Sequence, residues 1–275
     1  MILSDLVRHA GHPSGIPSAG FMRTTFILLP FLLASAVYLF AAIRSSRRFR
    51  PWPRSRALCW ITGQLIAAFS AVYSLSDGHF GHFAAHTVVH LLIGMLAPLL
   101  MALASPGTLA LRTLNVKQAR RLALLLKSIP LRLAVHPVVT AALNIGGMAA
   151  LYTTGLYESM CHSLLLHIVV HFHFLAAGYL FAASIVYRDP IAHRHSFAYR
   201  AAVLMLAVAA HSIAAKYVYV HPPAGVAAQD GRLGGMLMYY GGDAVEIALM
   251  VLLCSERFKA SRNRTLLDIQ TASPE

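Results

Sequence analysis

Long apolar runs alternating with short polar loops organise this chain. Seven stretches stand out: Phe26–Ile43, Ala57–Leu75, Phe83–Ala104, Val135–Leu156, Ser163–Tyr187, Ala201–Tyr219 and Leu233–Leu253. A helix that spans the hydrocarbon of a bilayer needs about 20 apolar residues, because lipid offers no partner to backbone N–H and C=O groups. The pattern predicts an all-α, polytopic membrane bundle of seven transmembrane helices over residues 26–253. A polar tail at 1–25 precedes it and a short tail at 254–275 follows. The first apolar run begins too late, and extends too far, for a cleavable signal peptide. Arg44, Arg47, Arg48 and Arg50 behind it read as a stop-transfer flank. Inside the 105–134 loop, the stretch from Lys117 to Lys127 is basic and apolar by turns, as suits a helix lying on anionic lipid.

Composition supports this class and charge orients it. With 57% hydrophobic and 12% charged residues, the chain is outside the range of soluble domains. A net charge of +13 suggests nucleic acid until the cations are located, since they sit in loops between apolar runs. Nineteen of the 23 Lys and Arg follow the first, third, fifth and seventh runs. That asymmetry predicts an outer N-terminus and a cytoplasmic C-terminus, and it argues against a nucleic-acid partner. The three cysteines form no disulfide framework: Cys59 and Cys254 fall near the inner face, Cys161 near the outer one. Cys161, beside His162, is a candidate soft-metal thiol.

The 15 histidines carry the chemical signal. His79, His82, His86 and His90 surround the outer end of the third run; His162, His167, His171 and His173 that of the fifth; His221 follows the sixth. His86/His90 and His167/His171 are each spaced i, i+4, which stacks both rings on one helix face. The two pairs lie at matching depths, so neighbouring helices three and five would gather four imidazoles just below the outer surface. Histidines in membranes also serve as ordinary interhelical hydrogen-bonding groups. Two such pairs at one depth favour a metal or cofactor site, because polar groups there are expensive and normally functional.

Several chemistries are excluded by the residues present. Positions 87 and 168 are Thr and Ile, where a zinc-protease helix would need Glu. No nucleophile elbow, phosphate loop or dinucleotide fingerprint occurs, and the seventh run lacks the Lys that retinal would require. Di-iron oxygenases place their histidine boxes on the other face. The chain reads as a non-enzyme. Met236 and Met238 offer thioethers to Cu(I) at the outer end of the seventh run. Asp77 and Asp230 lie in outer loops, able to collect cations or simply solvated. Asp243 and Glu246, in mid-membrane, suit pairing with His211 or Lys216, or an ion or proton path. Pro98 frees a carbonyl below the histidines, and Gly94 and Gly178 permit close helix contact at that level.

His86-Thr-Val-Val-His90-Leu-Leu, Ala97-Pro98-Leu99-Leu100 and Ser105-Pro106 together resemble the caa3-type cytochrome c oxidase assembly factor family, CtaG in its seven-helix form. The resemblance continues through Tyr157, His167 to His171, Phe174-Leu175-Ala176-Ala177-Gly178, Asp189-Pro190, Asp230 and Gly235-Met236-Leu237-Met238-Tyr239. The chain departs from the family pattern at Leu99 and Gly231. The family is associated with copper supply to haem–copper oxidases, so the resemblance implies that His86, His90, His167 and His171 handle copper in a bacterial inner membrane. Copper arriving as Cu(I), from a chaperone on the outer side, would be held by these imidazoles with Met238, His162 or Cys161. It would then pass to oxidase subunits in the same lipid. The competing readings are a haem-binding electron carrier or reductase with bis-His ligation, and a metal permease built on Asp243 and Glu246. Purified protein distinguishes them, by a Soret band or by ion flux.

Overall fold

The computed structural model describes residues 19–75, 82–191 and 194–272. His9, His12, Asp77, His79 and His193 lie outside the described residues. The described chain is helical throughout: α1 Ala19–Arg48, α2 Arg54–Ser74, α3 Phe83–Leu103, α4 Pro106–Thr113, α5 Val116–Lys127, α6 Ile129–Ala134, α7 Pro137–Thr153, α8 Leu156–His162, α9 Leu164–Ile185, α10 Phe197–Val220 and α11 Ala228–Ala272. Among the described residues six helices are long and apolar enough to cross a membrane, and α7 is a shorter apolar helix of 17 residues. The protein is a multi-pass membrane protein.

The fourth apolar run, expected over Val135–Leu156, is trimmed at both ends. Pro137 takes the first turn, where its missing N–H costs nothing. At the other end the Thr153 and Thr154 hydroxyls donate back to the Ala149 and Ala150 carbonyls, and Thr154 turns extended. At about 1.5 Å per residue α7 spans about 26 Å, just short of the hydrocarbon thickness. The last helix does the opposite. α11 runs for 45 residues, starting before the expected Leu233 and continuing through much of the expected C-terminal tail. Likewise α1 begins at Ala19, inside the expected N-terminal tail.

Helices α3, α9, α7, α10 and α11 pack in cyclic order, each against the next, with α11 closing on α3. α2 packs on the outside of α3, and α1 on α2. α1 is held mainly at its far end, where the Tyr38 hydroxyl donates to the Ala104 carbonyl (2.8 Å) and accepts from Trp52 Nε1 (3.0 Å). Two aspartates distant in sequence cap helices whose own N-cap side chains do not. Asp230 accepts from the backbone N–H groups of Phe83 (2.5 Å) and Ala84 (3.2 Å) at the start of α3. Asp189 accepts from Gly107 (3.0 Å) and Thr108 (2.6 Å) at the start of α4. Each carboxylate meets orphan donors at the positive end of a helix dipole. Asp230 is therefore a clamp between α11 and α3, rather than the cation collector considered from sequence.

The middle of α3 departs from α-helical geometry. Residues Leu92–Leu96 form a single π turn directly after His90. Its cause is Pro98, which has no N–H to give and whose ring crowds the Gly94 carbonyl one turn back. The displaced Gly94 carbonyl lies against Gly178 of α9, so that a Cβ on Gly178 would collide with that oxygen and press on the Pro98 ring. Glycine is needed there for contact between two backbones, and that contact sets the spacing of the two histidine helices. Gly178→Ala is expected to cost roughly 1–3 kcal/mol, as overpacking does, because the atom it meets is backbone and cannot rotate away. Thermal unfolding in detergent checks it, and an unchanged midpoint would show that the helices can part freely.

Candidate functional site

The i, i+4 pairs place their rings as helical spacing dictates. On α9, His167 and His171 stack with ring centroids 4.2 Å apart. Across the interface the ring of His86, on α3, stands edge-on to His171 at 5.8 Å. His167, His171 and His90 are all buried, with 4%, 6% and 3% of their surface exposed. Burial to this degree in lipid leaves each ring nitrogen dependent on protein or ligand partners.

The hydrogen bonds decide which nitrogens are available. His171 Nδ1–H donates to the His167 carbonyl (2.9 Å), since a carbonyl can only accept. In the neutral ring the electron pair then resides on Nε2, which is buried and has no hydrogen-bond partner among the described residues. His86 Nε2 is buried in the same state. His167 Nε2 is bonded to the Ser74 hydroxyl (3.0 Å), which brings α2 into the site. A ring tied through one nitrogen to a backbone carbonyl, with the electron pair of the other turned inward, as in His171, is how proteins orient an imidazole as a ligand.

Aromatic rings wall the cluster. Tyr152 of α7 stands edge-on to both His86 (6.1 Å) and His90 (6.2 Å), Tyr157 of α8 to His86 (5.1 Å), and Phe174 to His90 (4.4 Å). Met238 is fully buried in the apolar cluster containing Phe83, Tyr152 and Phe174, and so shares the imidazoles' surroundings. Cys161 shares a hydrogen bond with Tyr157. Burial raises the Cys161 thiol above its ordinary pKa; the Tyr157 bond opposes this and the Glu158 charge adds to it. His162 is exposed at the end of α8. His173 points away from the cluster, its Nε2–H donating to the Leu143 carbonyl of α7 (3.1 Å), the ordinary structural use of a membrane histidine. Of the seven candidate ligands, the structure gathers His86, His167 and His171, and places His90 one turn deeper. Among the described residues, no three His, Cys, Asp or Glu side chains are already gathered into a metal site.

His90 faces the middle of the bundle. It lines an enclosed cavity of about 30 Å³ built from all five ring helices, with Asn144 of α7, His211 of α10 and Glu246 of α11 as its other polar walls. A space of that size has room for one or two waters. His211 Nδ1 lies 3.1 Å from Glu246 Oε1, and both residues are almost wholly buried. Gly242, one turn before Glu246, makes the room: a Cβ there would strike the His211 ring. Glu246 therefore pairs with His211, while the Lys216 ammonium lies over the Tyr239 ring (5.1 Å). Asn144, Tyr152 and Ser74 had no motif to mark them in the sequence; only the tertiary arrangement brings them to the site. On the lipid side, His167 and His171 also line an apolar cleft of about 660 Å³ between α1, α2 and α9.

Comparison with known proteins agrees with the sequence motifs. A family model described as cytochrome c oxidase caa3 assembly factor matches residues 36–260. Uncharacterised proteins of Mycobacterium bovis (Mb0105) and Mycobacterium tuberculosis (MT0111) are each 30% identical over 180 residues, 63% of this chain. A third, of Mycobacterium leprae (ML1998), is 27% identical over 182 residues, 64% of the chain. The aligned part spans only 27–28% of the length of these curated relatives. No solved structure matches the chain.

The buried pair yields a direct test. Glu246→Ala leaves the His211 ring without its carboxylate neighbour and is expected to cost about 1–3 kcal/mol, the range for a buried polar group left unsatisfied. Replacing both partners, His211→Phe with Glu246→Leu, should recover most of that loss, because neither polar group is then left in the bundle. Unfolding of the three proteins in detergent measures it, and equal stability of Glu246→Ala and wild type would mean that the pair contributes nothing.

Proposed function

Because the chain belongs to the cytochrome c oxidase caa3 assembly factor family, we propose that it serves oxidase assembly by holding copper at its paired histidines and releasing it to an oxidase subunit in the same membrane. The observation that carries this reading is the state of two nitrogens. His86 Nε2 and His171 Nε2 are buried, lack hydrogen-bond partners among the described residues, and belong to rings 5.8 Å apart on separate helices. Cu(I) suits this donor set, since it accepts as few as two or three ligands and imidazole is among those it takes. A third ligand is supplied by a small turn of His167 or His90. The set holds few charged or thiolate donors, so binding is weak enough for the ion to be passed on. The aromatic wall excludes water, which favours the reduced ion.

The charge asymmetry of the loops supports an outer position for the histidine end of the bundle, on the side where copper would arrive. The apolar cleft beside His167 and His171 gives a lateral approach from the lipid, the direction from which another membrane subunit would come. Copper is cargo here, so the protein needs no catalytic group of its own. Its task is to bind, orient and exchange. Ligating imidazoles must be neutral, which makes the site release metal as pH falls through their titration.

Protein purified under reducing, copper-replete conditions is expected to carry copper, to lose it on acidification and to show no Soret band. His90→Ala/His171→Ala is expected to remain folded, to lose the metal and to leave the oxidase in that membrane copper-deficient and inactive. Normal oxidase copper in cells carrying only the double variant would sink the proposal, and a haem spectrum would replace it with bis-His haem binding.

A further inference from the structure

At the end of the bundle opposite the paired histidines lies a second, chemically distinct pocket. The end of α5, α6, the start of α7 and the segment between α9 and α10 enclose about 550 Å³. Its walls divide by type. Leu126, Ile129, Leu133 and Ile191 supply apolar surface. Arg132 and Arg194, both exposed, supply two guanidinium groups, and no acidic side chain is among the described residues that line it.

The polar wall is held in place by aromatic contacts. The His136 ring stands edge-on to His195 at 4.8 Å, and His195 stacks on Tyr199 at 4.9 Å. The His195 backbone N–H donates to the Tyr187 hydroxyl (3.0 Å), and the Arg194 guanidinium lies over the Tyr187 ring at 5.9 Å. Arg194 is thus held against an aromatic wall, Arg132 lies on the same lining, and no carboxylate is among the described residues of that lining.

The neighbouring surface says where this pocket sits. α5 has no buried residue, yet it carries Leu124 at 63% and Leu125 at 62% exposed, beside Lys117, Arg120, Arg121 and Lys127. Ile129 and Leu133, at the pocket itself, are 71% and 57% exposed. A basic helix with bare leucines is built to lie in the headgroup layer, apolar side in the acyl chains and cations among the phosphates. A pocket beside it opens at the same depth.

We infer that this pocket binds the headgroup of an anionic phospholipid, the phosphate held by Arg132 and Arg194 and an acyl chain lying along the leucine and isoleucine wall. Guanidinium matches phosphate with paired N–H donors, and the lack of a carboxylate excludes the ammonium of a zwitterionic headgroup. Free phosphate would satisfy the two cations and leave the apolar wall unused. The site is independent of the histidine cluster, and its test does not involve copper. It gives the bundle a lipid-dependent anchor at the end where α6, α7 and α10 meet the interface.

The test uses the full chain in mild detergent, as wild type and as Arg132→Gln/Arg194→Gln. Native mass spectrometry counts retained phosphatidylglycerol, and thermal unfolding is followed with added phosphatidylglycerol, phosphatidylcholine or inorganic phosphate. The wild type is expected to retain phosphatidylglycerol and to melt several degrees higher with it, but not with phosphatidylcholine or inorganic phosphate. The double variant is expected to retain roughly 30-fold less, as fits the loss of two interfacial cations at about 1 kcal/mol each, and to lose the rise in melting temperature. Should that variant not fold, Arg132→Gln and Arg194→Gln singly are each expected to lower retention. Equal retention by variant and wild type, or an equal rise with phosphatidylcholine or with inorganic phosphate, overturns the inference.

Discussion

Hydrocarbon offers a polar side chain no water, so every imidazole and carboxylate inside this bundle must find its partner in protein or in a ligand. The five-helix ring solves that problem by turning its polar groups inward and dividing them between two levels. Near one end, His86, His167 and His171 converge from α3 and α9. Deeper, His211 and Glu246 meet across a cavity that His90 also lines. His90 is the wall the two levels share. Apolar packing alone would not demand such placement; the cost of stranding a charge or a ring nitrogen in lipid does.

Backbone exceptions serve the same end. Pro98 removes one hydrogen bond from α3, and the π turn that follows lets the Gly94 carbonyl rest on Gly178. Asp230 reaches from α11 to cap the first turn of α3, so the helix that carries Glu246 also fixes the entry of the helix that carries His86 and His90. The Asp230 cap and the glycine contact are therefore part of what positions the site, although neither touches an imidazole of the cluster.

Much of this was legible in the sequence. Hydropathy located the helices, because spanning lipid demands a run of apolar residues, and i, i+4 spacing placed His167 and His171 on one face because helical periodicity is local. The helix ends were less legible. α7 is shortened by Pro137 and by threonine hydroxyls that bond back to the chain, and α11 outruns its apolar stretch, neither of which a hydropathy window registers. The choice of partners was legible only as a set of options. Glu246 had His211 and Lys216 within plausible reach, and Asp230 read as a loop carboxylate, collecting cations or simply solvated, because an N-cap supplied from 147 residues away leaves no pattern in the chain.

The contact at Gly178 bears on how far this chain can vary in length. His171 and Gly178 are seven residues apart on α9, close to two full turns, so both face α3. Inserting or deleting one residue between them would rotate the histidines about 100° away from His86 while the glycine stayed docked. Elsewhere on lipid-facing helices a shift of one residue merely exchanges one apolar group for another. Between His171 and Gly178, and between His90 and Gly94 on the facing helix, the reading frame of the helix itself is fixed, and tolerated insertions belong in the loops beyond.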